Sequence, residues 1–126
     1  MSEQKPLVTG TDFVCLPTED IERAAEFYEN VLGLERSIQW GEYPAVEFET
    51  GGATLALMQS EAFGREFQPH RMAVTLRVED FDGARGELEA RGVELGETID
   101  SGVCKQAYFT DTDGNALGIH QRYEPR

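Results

Sequence analysis

The sequence predicts an α+β fold made of two copies of one βαβββ unit, and three observations predict it. The first is an internal match: Val14-Cys-Leu-Pro-Thr-Glu-Asp20-Ile-Glu-Arg-Ala24 lies against Val74-Thr-Leu-Arg-Val-Glu-Asp80-Phe-Asp-Gly-Ala84 at a constant offset of 60. The second is a later match: Gly52-Ala-Thr-Leu55-Ala-Leu57 lies against Gly114-Asn-Ala-Leu117-Gly-Ile119 at an offset of 62. Two matches in the same order mark a duplicated unit, and a longer turn at Asp111-Thr-Asp-Gly114 accounts for the two added residues. The third is a switch of hydrophobic period, from two to 3.6, at the same place in each copy.

Each copy opens on a strand. Val14 and Leu16 alternate with Phe13 and Cys15, and Val74, Leu76 and Val78 alternate with Ala73, Thr75 and Arg77. A strand of this kind has two distinct faces. A helix follows, started by Asp20 as N-cap, with Ile21, Ala24, Ala25, Tyr28, Val31 and Leu32 on one stripe and Gly33 at the exit. The second helix runs from Asp80 through Phe81, Ala84 and Leu88 to Gly92. Three strands are expected after each helix: about 34–40, 45–49 and 53–59 in the first copy, and about 94–100, 105–110 and 115–121 in the second. The turns are Gly51-Gly52 and Asp113-Gly114. The expected organisation is one domain over 1–126, with repeat 1 at about 8–59, a linker at about 60–70 containing Pro69, and repeat 2 at about 71–121.

A chain of 126 residues, 40% hydrophobic, is long enough to bury a core without disulfides or structural metals. It carries 24 acidic residues against 11 basic ones, a formal net charge of -13. Such a chain repels phosphate backbones and anionic lipid heads, so neither nucleic acid nor a membrane surface is an expected partner. The charge favours neutral or cationic ligands over anionic ones, or serves solubility alone. No apolar run approaches a membrane span, no secretory signal is visible, and Cys15 and Cys104 form no CxxC motif. A cytoplasmic setting with free thiols is therefore expected.

Three segments carry a resemblance: Asp20-Ile-Glu-Arg-Ala-Ala-Glu-Phe-Tyr-Glu-Asn-Val-Leu-Gly-Leu34, Arg77-Val-Glu-Asp-Phe81 and Phe109-Thr-Asp-Thr-Asp-Gly-Asn115. The chain resembles the vicinal oxygen chelate superfamily of glyoxalase I, extradiol dioxygenases, fosfomycin resistance enzymes and bleomycin resistance proteins. The resemblance implies two βαβββ modules forming a curved mixed sheet crevice with helices on the convex side. It also implies, for the enzymes, a divalent ion held by His, Gln or Glu on the first and last strand of each copy. Those positions fall on Phe13, Ala56, Ala73 and Gly118. Divalent ions need oxygen or nitrogen donors at about 2.0–2.6 Å, and these side chains offer none. A shift of one residue brings in Asp12 but otherwise only Val74, Leu55 or Leu57, and Leu117 or Ile119. No metal and no other cofactor is expected.

The resemblance then points to the family's binding-protein branch, which sequesters a small molecule in the crevice. Alternation puts Phe13, Cys15, Ala56, Met58, Ala73, Thr75, Gly118 and His120 on the crevice side. The segment Gln39-Trp40-Gly-Glu42-Tyr43 is expected near its mouth, where Trp40 suits an aromatic or cationic ligand. Each residue has a plainer reading: Phe13 and Met58 as fillers of the cavity, Cys15 as an inert thiol, Arg77 as a structural residue, His120 as a hydrogen-bonded wall, and Trp40 in a hairpin tip or dimer contact. Glu47 and Glu49 share one face, which the sequence leaves undecided. No GxSxG, P-loop, GxGxxG or HExxH motif is present. The expected function is metal-free binding of a flat aromatic or cationic compound by a homodimer. The alternative is a superfamily enzyme (lyase, isomerase or dioxygenase-like) that uses His120 as acid or base or binds metal at a displaced site. A third reading is an interaction module.

Overall fold

The computed structural model describes residues 6–125. The first module comprises β1 (Val14–Thr18), α1 (Ile21–Glu26), a π-helical turn (Phe27–Val31), β2 (Glu35–Gln39), β3 (Ala45–Glu49) and β4 (Thr54–Gln59). A short 3-10 turn, Ser60–Phe63, leads away from it. The second module comprises β5 (Val74–Arg77), α2 (Phe81–Ala90), β6 (Ile99–Asp100), β7 (Cys104–Thr110) and β8 (Ala116–Arg122). The sheet orders are β1-β4-β3-β2 and β5-β8-β7-β6, so the two sheets have the same topology. In each, the first strand is parallel to the last and the remaining pairs are antiparallel.

The helix starts are built alike. Asp20 accepts from Arg23 N and Asp80 from Gly83 N, each satisfying an amide that a helix start leaves unpaired. A glutamine at the end of the last strand does the same for the first helical residue. Gln59 Oε1 accepts from Ile21 N at 3.0 Å, and Gln121 Oε1 accepts from Phe81 N at 2.8 Å. Both helices leave through a glycine with positive φ, Gly33 at 73° and Gly92 at 91°, a region other residues rarely enter. Among the described residues no helix is long and apolar enough to cross a membrane.

Two expectations change. The segment 94–100 yields only Ile99–Asp100 as strand. Arg85 Nη1 donates to Gly96 O at 2.8 Å and to Thr98 Oγ1 at 3.2 Å, which takes that carbonyl out of a ladder. The turn Asp111-Thr-Asp-Gly114 supplies only one of the two added residues of the second copy. Phe48 pairs with Leu55 and Phe109 with Leu117, so the offset is already 61 in the third strand and becomes 62 across the turn. The other added residue enters between helix and third strand.

One core joins both modules. Leu16, Ala24, Ala25, Val46, Phe48, Leu55 and Leu57 pack in one cluster with Phe81, Leu88, Ala107, Phe109, Leu117 and Ile119. At its edge Tyr28, fully buried, donates its hydroxyl to Asp111 Oδ2 at 2.6 Å. Burial and the adjoining carboxylate push the phenol far above its ordinary range, so it stays a donor at any working pH. Tyr28→Phe removes a hydrogen bond to a buried charge and is expected to cost about 2 kcal/mol, read as a lower urea midpoint with an unchanged slope. An unchanged midpoint would mean that this contact does not hold the modules together.

Candidate functional site

Strand alternation gives each sheet a face turned away from the core. On the first sheet, Cys15, Ala56 and Glu47 form one cross-strand row, and Pro17, Met58 and Ala45 the next. Trp40, just past β2, reaches over this face: its indole Nε1 donates to Glu47 Oε2 at 2.7 Å. Phe13 meets the indole edge-on at a centroid distance of 5.5 Å. Phe63 also meets the indole edge-on, at 6.2 Å, and stacks on Tyr43 at 5.8 Å. The result is a run of aromatic side chains with a carboxylate held at the indole N–H, and with Phe13 41% exposed. Cys15 is exposed as well, yet partial desolvation pushes its thiol above the ordinary range and keeps it protonated.

On the second sheet, Thr75, Gly118 and Tyr108 form one row, and Arg77, His120 and Gln106 the next. Ala73 immediately precedes β5. Tyr108 lies across Gly118: a Cβ at that position would sit 3.0 Å from the ring's Cδ1 and 3.3 Å from Ala107 O. A cavity of about 650 Å³ opens over this sheet, lined by Thr75, Arg77, Val78, Glu79, His120, Gln121 and Arg122. A second cavity of about 440 Å³ lies at the seam between the modules, where Val14, Leu55, Val74, Leu76, Leu88 and Ile119 supply an apolar lining.

The nine residues singled out in the sequence therefore divide. Phe13, Cys15, Trp40, Ala56 and Met58 belong to the first sheet, and Ala73, Thr75, Gly118 and His120 to the second. Thr75 and His120 line the 650 Å³ cavity, and no residue of the first sheet does. Alternation within β7, where Ala107 and Phe109 are buried, was enough to place Tyr108 opposite them. Phe63 had no signal, because it sits in the segment between modules. The undecided Glu47 lies on the outward face, held by Trp40.

Hydrocarbon occupies the four positions to which the resemblance assigns the metal ligands of the family's enzymes: Phe13 edge-on to Trp40, Ala56 fully buried, Ala73 half-buried, and Gly118 under Tyr108. Among the described residues no group of three or more His, Cys, Asp and Glu is placed to hold one either. These residues do not fit a divalent ion.

Two mixed four-stranded sheets in repeated βαβββ order define a paired-module fold of the glyoxalase type. The family model "Glyoxalase/Bleomycin resistance protein/Dioxygenase superfamily" matches residues 10–119, and the chain belongs to that superfamily. It is 26% identical over 118 residues to metallothiol transferase FosB of Lysinibacillus sphaericus (strain C3-41), covering 90% of this chain and 82% of that protein. It superposes on TnmS3, an antibiotic binding protein from Streptomyces sp. CB03234, with a TM-score of 0.79, 23% identity and coverage of 94% and 99%. It also superposes on a superfamily member from Sphaerobacter thermophilus DSM 20745, with a TM-score of 0.80, 22% identity and coverage of 93% and 100%. At these identities the two structures establish the fold alone.

Gly118→Ala is expected to cost about 1 kcal/mol by overpacking against Tyr108, and the cost should shrink in a Tyr108→Ala background, where only the contact with Ala107 O remains. Equal costs in both backgrounds would show that the ring does not occupy that space.

Proposed function

We propose that this chain is a metal-free binding protein that sequesters a flat aromatic or cationic small molecule. The observation that carries the reading is the aromatic cluster of Phe13, Trp40 and Phe63, with Glu47 held at the indole N–H. Ring faces and edges hold a flat ligand, and a carboxylate among them attracts a cation. The shared fold with an antibiotic binding protein is consistent with it. Titration with flat aromatic amines should shift Trp40 fluorescence saturably, because Trp40 is the single tryptophan. Trp40→Ala should weaken the binding by about 1 kcal/mol or more. Saturable binding that leaves the fluorescence and the Trp40→Ala affinity unchanged would move the ligand elsewhere.

The metal-free half of the reading rests on Phe13, Ala56, Ala73 and Gly118, which offer no donor atom. Purified protein should carry no stoichiometric Zn, Mn, Fe or Ni, and a chelator should leave the Tm unchanged. A chelator-sensitive Tm would favour the second reading, an enzyme of the superfamily. Likeness to a metallothiol transferase and the place of His120 on the outward face support that reading. It requires either His120 as acid or base, or a metal at a displaced site.

The binder acts as a homodimer in this proposal. β1 and β5 are edge strands with unpaired backbone groups, and Phe13, Cys15 and Tyr108 are exposed on the single chain. A second copy can set its first sheet opposite the second sheet of its partner, bringing the divided residues together. Sedimentation equilibrium should give twice the chain mass, and a monomer at micromolar concentration would overturn the arrangement.

A further inference from the structure

The outward face of the second sheet carries charge of the opposite sign to the whole chain. β5 places Thr75 and Arg77 on it, and β8 places Gly118, His120 and Arg122 there. Arg77, His120 and Arg122 all line the 650 Å³ cavity, with Glu79 as its one carboxylate. Four other bases are matched: Arg36 pairs with Glu29, Arg85 with Glu89, Arg91 with Glu87 and Lys105 with Asp82. Arg23 donates to Thr112 O, and Arg65 and Arg71, in the segment between the modules, are unpaired among the described residues but line neither cavity. Among the described residues no carboxylate comes within ion-pair distance of Arg77 or Arg122. Among the described residues no side-chain hydrogen bond engages Arg77 or His120, and Arg122 makes only one, to Pro125 O. In a chain with 24 acidic residues, two guanidiniums left unmatched on one concave face are a local reversal of sign. The first sheet's face carries the reverse, with Glu47 beside Trp40. A net charge of -13 thus gives the wrong sign for this cavity.

We propose that this face binds the anionic oxyacid group, carboxylate or phosphate, of an aromatic ligand. Guanidinium presents planar paired donors that match such a group, and the imidazole of His120 adds a third donor between the two arginines. Thr75 lines the same cavity, and the ring of Tyr108, lying over Gly118 and 41% exposed, stands beside it. The inference rests on the binding-protein reading and narrows its ligand to aromatic anions and zwitterions.

The test compares two probes with one ring system, 2-naphthoate and 2-naphthamide, by calorimetry at low ionic strength. The carboxylate should bind about tenfold tighter than the amide, as expected for charge-assisted hydrogen bonds. The double variant Arg77→Gln/Arg122→Gln should lose that preference while keeping its affinity for the amide. The control Arg65→Gln/Arg71→Gln removes the same net charge from exposed positions outside the face and should keep the preference. Equal binding of the two probes, or a preference that survives the first double variant, overturns the anion site. A preference lost equally in the control pair shows a general charge effect and overturns it too. If the preference follows Arg77 and Arg122 while Trp40→Ala weakens neither probe, the anion site stands and the aromatic-cluster reading fails. Absence of saturable binding of either probe at millimolar concentration overturns both.

Discussion

The buried carboxylate of Asp111 is the point on which the two modules depend. Its Oδ2 accepts from Tyr28 Oη and from Asn115 Nδ2, and its Oδ1 accepts from the amides of Asp113 and Asn115. A charge withdrawn from water is tolerated only when its lone pairs are filled, and here four donors fill them. Asn115, fully buried beside it, carries the network outward: Nδ2 also donates to Pro17 O at 2.8 Å, and Oδ1 accepts from His70 N at 2.8 Å. One turn of the second module is thereby tied to the first module's opening strand, to its helix and to the end of the connecting segment. Glu19 N to Asp113 and Arg23 to Thr112 O extend the same junction toward solvent.

This junction sets the orientation of both sheets and therefore of both outward faces. With the core-facing sides drawn into one cluster, Cys15, Ala56 and Glu47 on one sheet and Thr75, Gly118 and His120 on the other are left outside. Small residues at Ala56 and Gly118 have different consequences. Beside Ala56, Glu47 is drawn under Trp40 by the indole N–H; over Gly118, the ring of Tyr108 lies against the strand. The chain thus presents Glu47 among aromatic rings on one outward face and Arg77 with Arg122 on the other. Their opposite charges make them complementary to one another and to a ligand bearing both signs.

Much of the architecture was legible because it depends on local rules repeated twice. Asp20 and Asp80 are N-caps, Gly33 and Gly92 are left-handed exits, and alternation in β1, β4, β5 and β8 separates core from outward positions. These features act over a few residues and leave a mark on the sequence. Alternation also carried the placement of His120 and Thr75 on an outward face. The same rule reached Glu47 only as far as a shared face with Glu49, since either side of β3 could have been buried.

What the sequence determined by itself was the duplicated βαβββ order and the lack of donor atoms at Phe13, Ala56, Ala73 and Gly118, because both follow from residue identity and short-range spacing. Tertiary structure alone decided the rest. Phe63 meets Trp40 across an irregular segment, Gln59 and Gln121 reach back 38 and 40 residues to the helix starts, and Tyr28 finds Asp111 across 83 residues. It also decided the sign of charge over the second sheet, where Arg77 and Arg122 stand together in a chain of net charge -13. Net charge is a sum over the whole chain and carries no position, whereas the field in a cavity is set by the few groups that the fold brings to its walls.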